Sequence, residues 1–294
     1  EAHAPVPEHA PAALQALPAR EAAAPLALRD LADWMRHPAR YFLRKRLGVV
    51  FDRDDDAPED SEPFHLAGLE RHTVARQLLD FLPTDWAALP DSAPQHHLGQ
   101  ALQRLRRAGL LPLGTPGDHI VAQWGEEWLP PLQTWQGLQR DHAQPGARVP
   151  LMRTADLQNA INLIATGTYP ERAGGQNDLE PDTLPSLQDW LDGLRCNAAG
   201  QAVWMQLTPS RLLQDAKKRS LRADLMIQPW LCSLAAAASG AELRGLLVAR
   251  DVWLEWEPLE PKAARTQLDR WLYACHQGQR APLPLPRRTA WALL

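Results

Sequence analysis

Residues 221–256, LRADLMIQPWLCSLAAAASGAELRGLLVARDVWLEW, hold the pattern that decides the fold class. The apolar, Ala-rich half, Leu221–Ala238, predicts a largely buried helix, which Pro229 either kinks or starts. Two apolar runs follow, Leu243–Arg250 and Val252–Trp256, and these predict a hairpin or one long strand. A buried helix followed by such strands indicates an α/β chain, on the border with α+β, built around a modest sheet.

The sequence before this stretch changes character near residue 145. Helical spacing of apolar residues predicts helices at Leu28–Leu47, 66–82, 95–110 and 120–140. After Pro145-Gly146, strands are predicted at Arg148–Arg153, Leu157–Thr166 and Val203–Leu207, a polar loop at Pro170–Thr183, a short helix at Leu184–Cys196 and a last amphipathic helix at Lys262–Gln277. Pro38 is expected to end one helix near Arg36 and to stand in the first turn of the next.

The bulk composition limits the possible class of protein. Residues 1–25 contain ten Ala and five Pro and read as a linker, so the folded part is expected to be 26–294, with a helical part 26–145 and a strand-containing core 146–294. The net charge of −4 gives no global field for nucleic acid, and no apolar run approaches a membrane helix. The missing initial Met suggests a fragment, and three dispersed cysteines without a signal peptide suggest the cytoplasm.

Sequence motifs for common enzyme chemistries are absent. The chain has no phosphate loop, no nucleophile elbow, no HExxH and no CxxC spacing. These absences indicate a chain without a complete active site of its own, working as a non-catalytic part of a larger assembly.

Basic and aromatic residues offer candidate contact surfaces. Arg36, Arg40 and Arg44 are four residues apart and would share one face of a continuous helix, which Lys45 and Arg46 extend. Such a stripe could bind a DNA backbone or remain a solvated helix face. Trp253 and Trp256 have an odd spacing on one strand, so one of them is expected to be exposed.

Several stretches resemble the RecC (gamma) subunit family of exodeoxyribonuclease V. The first is WMRHPARYFLRKRLGV, residues 34–49, which is followed by the acidic loop Asp52–Glu62 and by EPFHLAGLER, residues 62–71. Leu221–Gly240 and the terminus GQRAPLPLP, residues 278–286, continue the resemblance in the same order. The resemblance implies a degenerate core of the PD-(D/E)XK, restriction-endonuclease-like fold.

Active nucleases of that fold hold Mg²⁺ with an Asp on one strand and a (D/E)xK on the next. By the resemblance, Asn162 stands at the position of the Asp, Met205 at that of the second carboxylate and Leu207 at that of the Lys. Losing one such group commonly costs on the order of 10²–10³ in rate. No catalytic residue and no metal site are therefore expected.

The resemblance also implies partners and a role. It implies RecB-type beta and RecD-type delta subunits, which use the Mg²⁺ and ATP, and contact with a DNA single strand and a duplex end. The expected role is to scaffold this helicase–nuclease complex and to guide or split DNA during double-strand break repair.

Two alternatives stay open. One is an active Mg²⁺-dependent nuclease that uses other acids, such as Asp156, Glu171 or Asp215. The other is a purely protein-binding module.

Overall fold

The computed structural model describes residue 17, residues 25–50, 66, 68–156, 185–215, 217 and 219–282. Seven helices lie within these ranges: α1 (Leu28–Arg36), α2 (Pro38–Lys45), α3 (Gly68–Asp80), α4 (Ala93–Arg107), α5 (Gly114–Asp141), α6 (Ala223–Ala238) and α7 (Pro261–Arg280). None of these described helices is long and apolar enough to cross a membrane.

Nine strands lie in the same described ranges. They are β1 (Gln144–Pro145), β2 (Val149–Thr154), β3 (Ser186–Leu191), β4 (Leu194–Cys196), β5 (Ala202–Leu207), β6 (Leu213–Asp215), β7 (Ser220–Leu221), β8 (Arg244–Val248) and β9 (Trp253–Trp256). The prediction of a mixed chain of helices and strands is confirmed. The predicted linker, the strand Leu157–Thr166, the loop Pro170–Thr183 and the acidic loop Asp52–Glu62 lie outside the described residues, apart from Leu17 and Pro25.

The chain divides into two compact units. The first comprises Glu1–Val50, Thr154–Leu187 and Thr266–Leu294, and the second comprises Phe51–Arg153 and Gln188–Arg265.

In the first unit, Pro38 separates α1 from α2 as predicted. Proline has no backbone N–H and fixes its own φ, so it fits the first turn of a helix and breaks one from within. His37, between the helices, has φ −149° and ψ 75°, outside the helical region. The first helix therefore ends at Arg36, and Pro38 is the first residue of the second.

The core of the first unit packs α1 against α7. Leu268, Leu272 and Cys275 form one fully buried face of α7, which confirms the predicted amphipathic helix. The rings of Trp34 and Trp271 meet edge to face, with centroids 6.5 Å apart.

The second unit is built on a five-stranded sheet with the strand order β1-β4-β5-β8-β9. Pairing is antiparallel between β4 and β5, parallel between β5 and β8, and antiparallel between β8 and β9. Parallel neighbours need a crossover connection, and α6 lies within the one that joins β5 to β8. Pro229 stands in the interior of α6, so it does not start that helix. The two apolar runs that follow form the β8–β9 hairpin and not one long strand.

Helices cover both faces of the central strands. On one face, Val203, Met205 and Leu246 share a buried cluster with residues of α3, α4 and α5, including Trp124 and Trp128. On the other face, Leu247 packs with Leu225 and Met226 of the α6 region. This burial on both sides explains why Ala202–Met205 of β5 and Gly245–Val248 of β8 are apolar runs without polar alternation.

The predicted helix at Leu184–Cys196 is wrong, because Ser186–Leu191 and Leu194–Cys196 form β3 and β4. Gly193 has φ +78°, which continues neither a helix nor a strand, so it places a turn between Leu191 and Leu194. A Cβ on Gly193 would come within 3.0 Å of the Met205 carbonyl oxygen, so the glycine also permits close approach of β5. The spacing of the leucines fits a helix, but it does not show which secondary structure these residues form.

The prediction for the two tryptophans of β9 is confirmed. Trp253 is 47% exposed. Trp256 is partly buried, and its indole N–H donates to Ser233 Oγ at 2.6 Å.

Candidate functional site

Glu127 lies near the middle of α5 in the second unit, and its carboxylate contacts three arginines. Arg71 Nη2 donates to Oε2 at 2.8 Å, and Arg211 donates from Nε to Oε1 at 3.2 Å and also from Nη2. Arg250 Nη1 lies 3.3 Å from Oε1. The Glu127 side chain is only 12% exposed, so one largely buried anion faces three cations.

Two tryptophans of α5 flank this carboxylate. Glu127 and Trp128 follow Trp124 by three and four residues, so both lie next to Trp124 on the helix surface. The Arg71 guanidinium lies 5.6 Å from the centroid of the Trp124 ring, and that of Arg250 lies 5.6 Å from Trp128. Cation–π contact and burial thus hold both guanidinium groups beside Glu127.

Sheet topology brings the other arginines to the same place. Arg211 follows β5, and Arg250 follows β8. These strands are parallel neighbours, so their carboxyl ends reach the same edge of the sheet. Ligands of open α/β sheets bind outside the carboxyl ends of such strands, especially where the strand order reverses around a crossover. The arginines lie at the end of the sheet where such a site is expected.

The electrostatics of this cluster favour the ionised form of Glu127 but disfavour that of Arg250. Burial by itself raises the pKa of Glu127, but the hydrogen bond from Arg211 and the charges of Arg250, Arg211 and Arg71 outweigh it, so the pKa is lowered from 4.5. Burial lowers the pKa of Arg250, against the opposing effect of Glu127, and Arg211 and Arg71 lower it further. Cations therefore repel one another here despite the shared carboxylate.

A cleft of about 210 Å³ opens beside the cluster. It is lined by Gly68, Arg71, His72, Ser210, Arg211, Arg222, Leu225 and Arg250. His72 Nε2 and Ser210 Oγ are 3.4 Å apart across it. Four arginines and two further hydrogen-bonding side chains thus surround one small space.

The basic stripe predicted from sequence is divided in the structure. The helix break at His37 places Arg36 on α1, whereas Arg40 and Arg44 lie on α2. Arg36 donates to Asp33 at 3.1 Å, and Lys45 pairs with Asp30 at 3.1 Å. Arg46 also interacts with another group, so it is not a free cation.

Arg40 and Arg44 are exposed, one turn apart, and neither has an ion pair among the described residues. Binding of DNA by the stripe remains a prediction, and α2 supplies its most available part.

The positions compared with nuclease residues fall into two groups. Asn162 lies outside the described residues, as does Glu171. Met205 is 5% exposed and Leu207 is partly buried, and both pack in the apolar cluster under α3–α5. Across the described ranges, no group of three or more His, Cys, Asp or Glu side chains is placed to hold a metal ion.

The arginine cluster was not predicted from the sequence. Arg71, Arg211 and Arg250 are far apart in the chain, and each looks like a solvated cation at an element end. The available signal was a polar residue after each of two apolar strands. It becomes informative only when those strands are known to be parallel neighbours.

Comparison with known proteins agrees with the stretches quoted above. The RecC C-terminal domain family matches residues 23–294. The RecBCD enzyme subunit RecC of Escherichia coli (strain K12) is 28% identical over 179 residues, which cover 61% of this chain and 13% of that protein. The chain thus matches only a small part of the length of its relative. Since the family match takes in nearly the whole sequence, the chain belongs to the RecC C-terminal domain family.

Proposed function

We propose that the chain is a non-catalytic domain of an exodeoxyribonuclease V-type gamma subunit. It scaffolds a helicase–nuclease complex in the cytoplasm and guides or splits DNA during double-strand break repair. RecB-type and RecD-type subunits are its proposed partners, and they supply the chemistry that needs Mg²⁺ and ATP. The family match supports the assembly, since the relative bears the name of a RecBCD subunit.

The order of the sheet supports a degenerate PD-(D/E)XK core. An antiparallel pair, β4–β5, is followed by a helical crossover and by β8, which is parallel to β5. In the proposed register, β5 is the strand that would carry the second carboxylate and the lysine. Its residues at these positions, Met205 and Leu207, contribute to an apolar cluster instead.

The observation that carries the proposal is the chemistry at the carboxyl ends of β5 and β8. A Mg²⁺ site needs several oxygen ligands, mostly carboxylates and water. Met205 and Leu207 offer none, and the carboxylate oxygens of Glu127 accept hydrogen bonds from arginines. Cations at this edge would repel Mg²⁺ and attract the anionic backbone of DNA. The described residues therefore fit a DNA-holding surface better than a cutting site.

A cleavage assay tests the non-catalytic role. We expect the full chain alone, with Mg²⁺, to leave labelled single-stranded and duplex DNA intact. The complex with beta and delta subunits should cleave linear duplex DNA equally well when the gamma chain carries Asp156→Ala, Glu171→Ala or Asp215→Ala. Loss of cleavage with any of these variants, in a complex that still assembles, would show that the gamma chain contributes catalytic carboxylates.

A further inference from the structure

The cleft beside Glu127 has more hydrogen-bond donors than acceptors. Each guanidinium carries five N–H donors and no acceptor. Glu127 accepts from Arg71 and Arg211, and Arg222 lies 3.8 Å from Asp224. These bonds use only a small part of the donors that the four arginines bring to the cleft.

Arg250 shows the imbalance most clearly. Its side chain is 11% exposed, and its Nε and Nη1 atoms are buried without any hydrogen-bond partner, although Nη1 lies within ion-pair distance of Glu127. A buried donor without an acceptor loses its hydrogen bond to water and gains none in return, which destabilises the folded state. The site is therefore short of acceptor atoms.

Nearby carboxylates do not supply the missing acceptors. The two oxygens of Asp251 accept the backbone N–H groups of Leu212 and Leu213, at 2.9 and 3.0 Å. Asp224 lies in the first turn of α6, 3.8 Å from Arg222. The cleft arginines thus retain free donors after both acids are counted.

Two helix N-termini add to the positive potential. Gly68, the first residue of α3, and Arg222, the N-cap of α6, both line the cleft. No side chain caps the N-terminus of α6. The N-terminal end of a helix carries about half a positive charge and favours anions.

The volume of the cleft restricts the ligand. The cleft has a volume of about 210 Å³. Sites for whole organic ligands are commonly about 300–1,000 Å³. The smaller volume of this cleft suits one phosphate group with a few waters better than a whole nucleotide.

We propose that this cleft binds a phosphate group, with Arg211 and Arg222 as its accessible donors and Glu127 as the counter-charge that holds Arg71 and Arg250 in place. Resting on the proposed function, we assign the phosphate to the backbone of a single DNA strand. Arginine suits this role because its planar fork can donate two bonds to one phosphate.

The direct test uses the full chain and two probes. Inorganic phosphate is tested by thermal melting, and a fluorescein-labelled oligothymidylate by anisotropy at low salt. Variants are Arg211→Gln, Arg222→Gln and the double variant, with Arg107→Gln, an exposed arginine at the end of α4, as the control for charge. Arg222 does not contact Glu127, so its variant separates ligand binding from stability of the cluster.

Phosphate is expected to raise the melting temperature of the wild type and of Arg107→Gln, but not that of the double variant. Oligothymidylate affinity is expected to fall on the order of tenfold for each cleft substitution and to change less than about twofold for the control. Absence of a phosphate shift in the wild type, or an equal shift in the double variant, overturns the inference. If polyglutamate displaces the oligothymidylate but phosphate does not, the inference is also overturned, and the cleft binds an acidic protein segment instead.

The oligonucleotide arm separates this inference from the proposed function. If phosphate binds in the cleft but oligothymidylate affinity is unchanged in the double variant, the assignment to a DNA strand is wrong and the ligand is a small phosphate compound. If oligothymidylate affinity is lost only on Arg40→Gln/Arg44→Gln, the cleft assignment is wrong and DNA guiding stands. If no oligothymidylate binds the wild type or the assembled complex through this chain, DNA guiding itself fails.

Discussion

Gly245 and Trp256 are direct partners across the antiparallel β8–β9 pair, and the indole ring of Trp256 occupies the space that a Cβ on residue 245 would need. The ring cannot move away easily. Its N–H is bonded to Ser233 Oγ at 2.6 Å, and its centroid lies 5.9 Å from that of Trp204. Because Gly245 has no Cβ, the Trp256 ring can pack over β8 and still reach Ser233 of α6.

Gly245→Ala is therefore expected to destabilise the protein by about 2–3 kcal/mol, because overpacking forces off-rotamer side chains or shifts the backbone. Gly99→Ala is the matched control. Gly99 lies exposed within α4 with nothing near a Cβ, so the same change should stabilise by about 0.5–1 kcal/mol. Urea denaturation of both variants measures these differences. Equal effects in the two variants would contradict the packing argument.

Glu127→Gln should lower the free energy of unfolding at pH 7 by about 2–4 kcal/mol, because it leaves three neighbouring arginines without their shared carboxylate. The folded-state pKa of Glu127 is lowered, so its contribution is present above pH 4.5 and is lost as pH falls through the folded value. The difference between wild type and variant should therefore shrink below about pH 4.5. Urea melts at several pH values measure it, and a constant difference down to pH 3 would refute this assignment.

Arg195→Met should destabilise the second unit by about 2–4 kcal/mol. Arg195 is largely buried, and it donates to the carbonyl oxygens of His142 and Ala143 at 2.7 and 2.8 Å. Truncating these donors leaves two carbonyl groups short of a partner. Arg148→Met is the control, since Arg148 is mostly exposed and 3.6 Å from Asp192, and it should change stability by less than about 0.5 kcal/mol. Thermal melts compare the two, and similar losses would count against the buried network.

Arg40→Gln/Arg44→Gln tests the basic surface of α2. If both side chains contact single-stranded DNA, the slope of log affinity against log salt should be less steep by about 1.4, at about 0.7 per phosphate contact. Arg29→Gln, on the exposed side of α1, is the control and should leave the slope unchanged. Anisotropy titrations at several salt concentrations give both values. An unchanged slope in the double variant would assign α2 to solvent or to a partner subunit.

Sequence periodicity was a good guide to individual elements. It predicted α3, α4, α5 and α7 approximately, and it predicted the break at Pro38 because proline acts through local sterics. It failed at Leu184–Cys196, where the leucine spacing fits a helix but Gly193 takes a conformation that a helix excludes. The backbone conformation of Gly193 excludes a helix there, and the pattern of apolar residues gives no information about that conformation.

The candidate site could not be predicted in the same way. It depends on the parallel pairing of β5 with β8, a relation between segments that are separated by α6 and a small hairpin. Composition and residue spacing do not show which strands become neighbours in the sheet. The expected loss of an acid and a lysine at Met205 and Leu207 came from the resemblance, and the structure adds that both side chains contact apolar residues.

The parallel pairing also has a consequence for synthesis of the chain. Until β8 has left the ribosome, β5 is an edge strand with a row of unpaired N–H and C=O groups. Its apolar side chains Val203 and Met205 lack the β8 part of their buried cluster at that stage. Such an edge is a template for pairing with a second chain. A product that terminates within α6 should therefore aggregate, so the last third of the sequence protects the middle third during biogenesis.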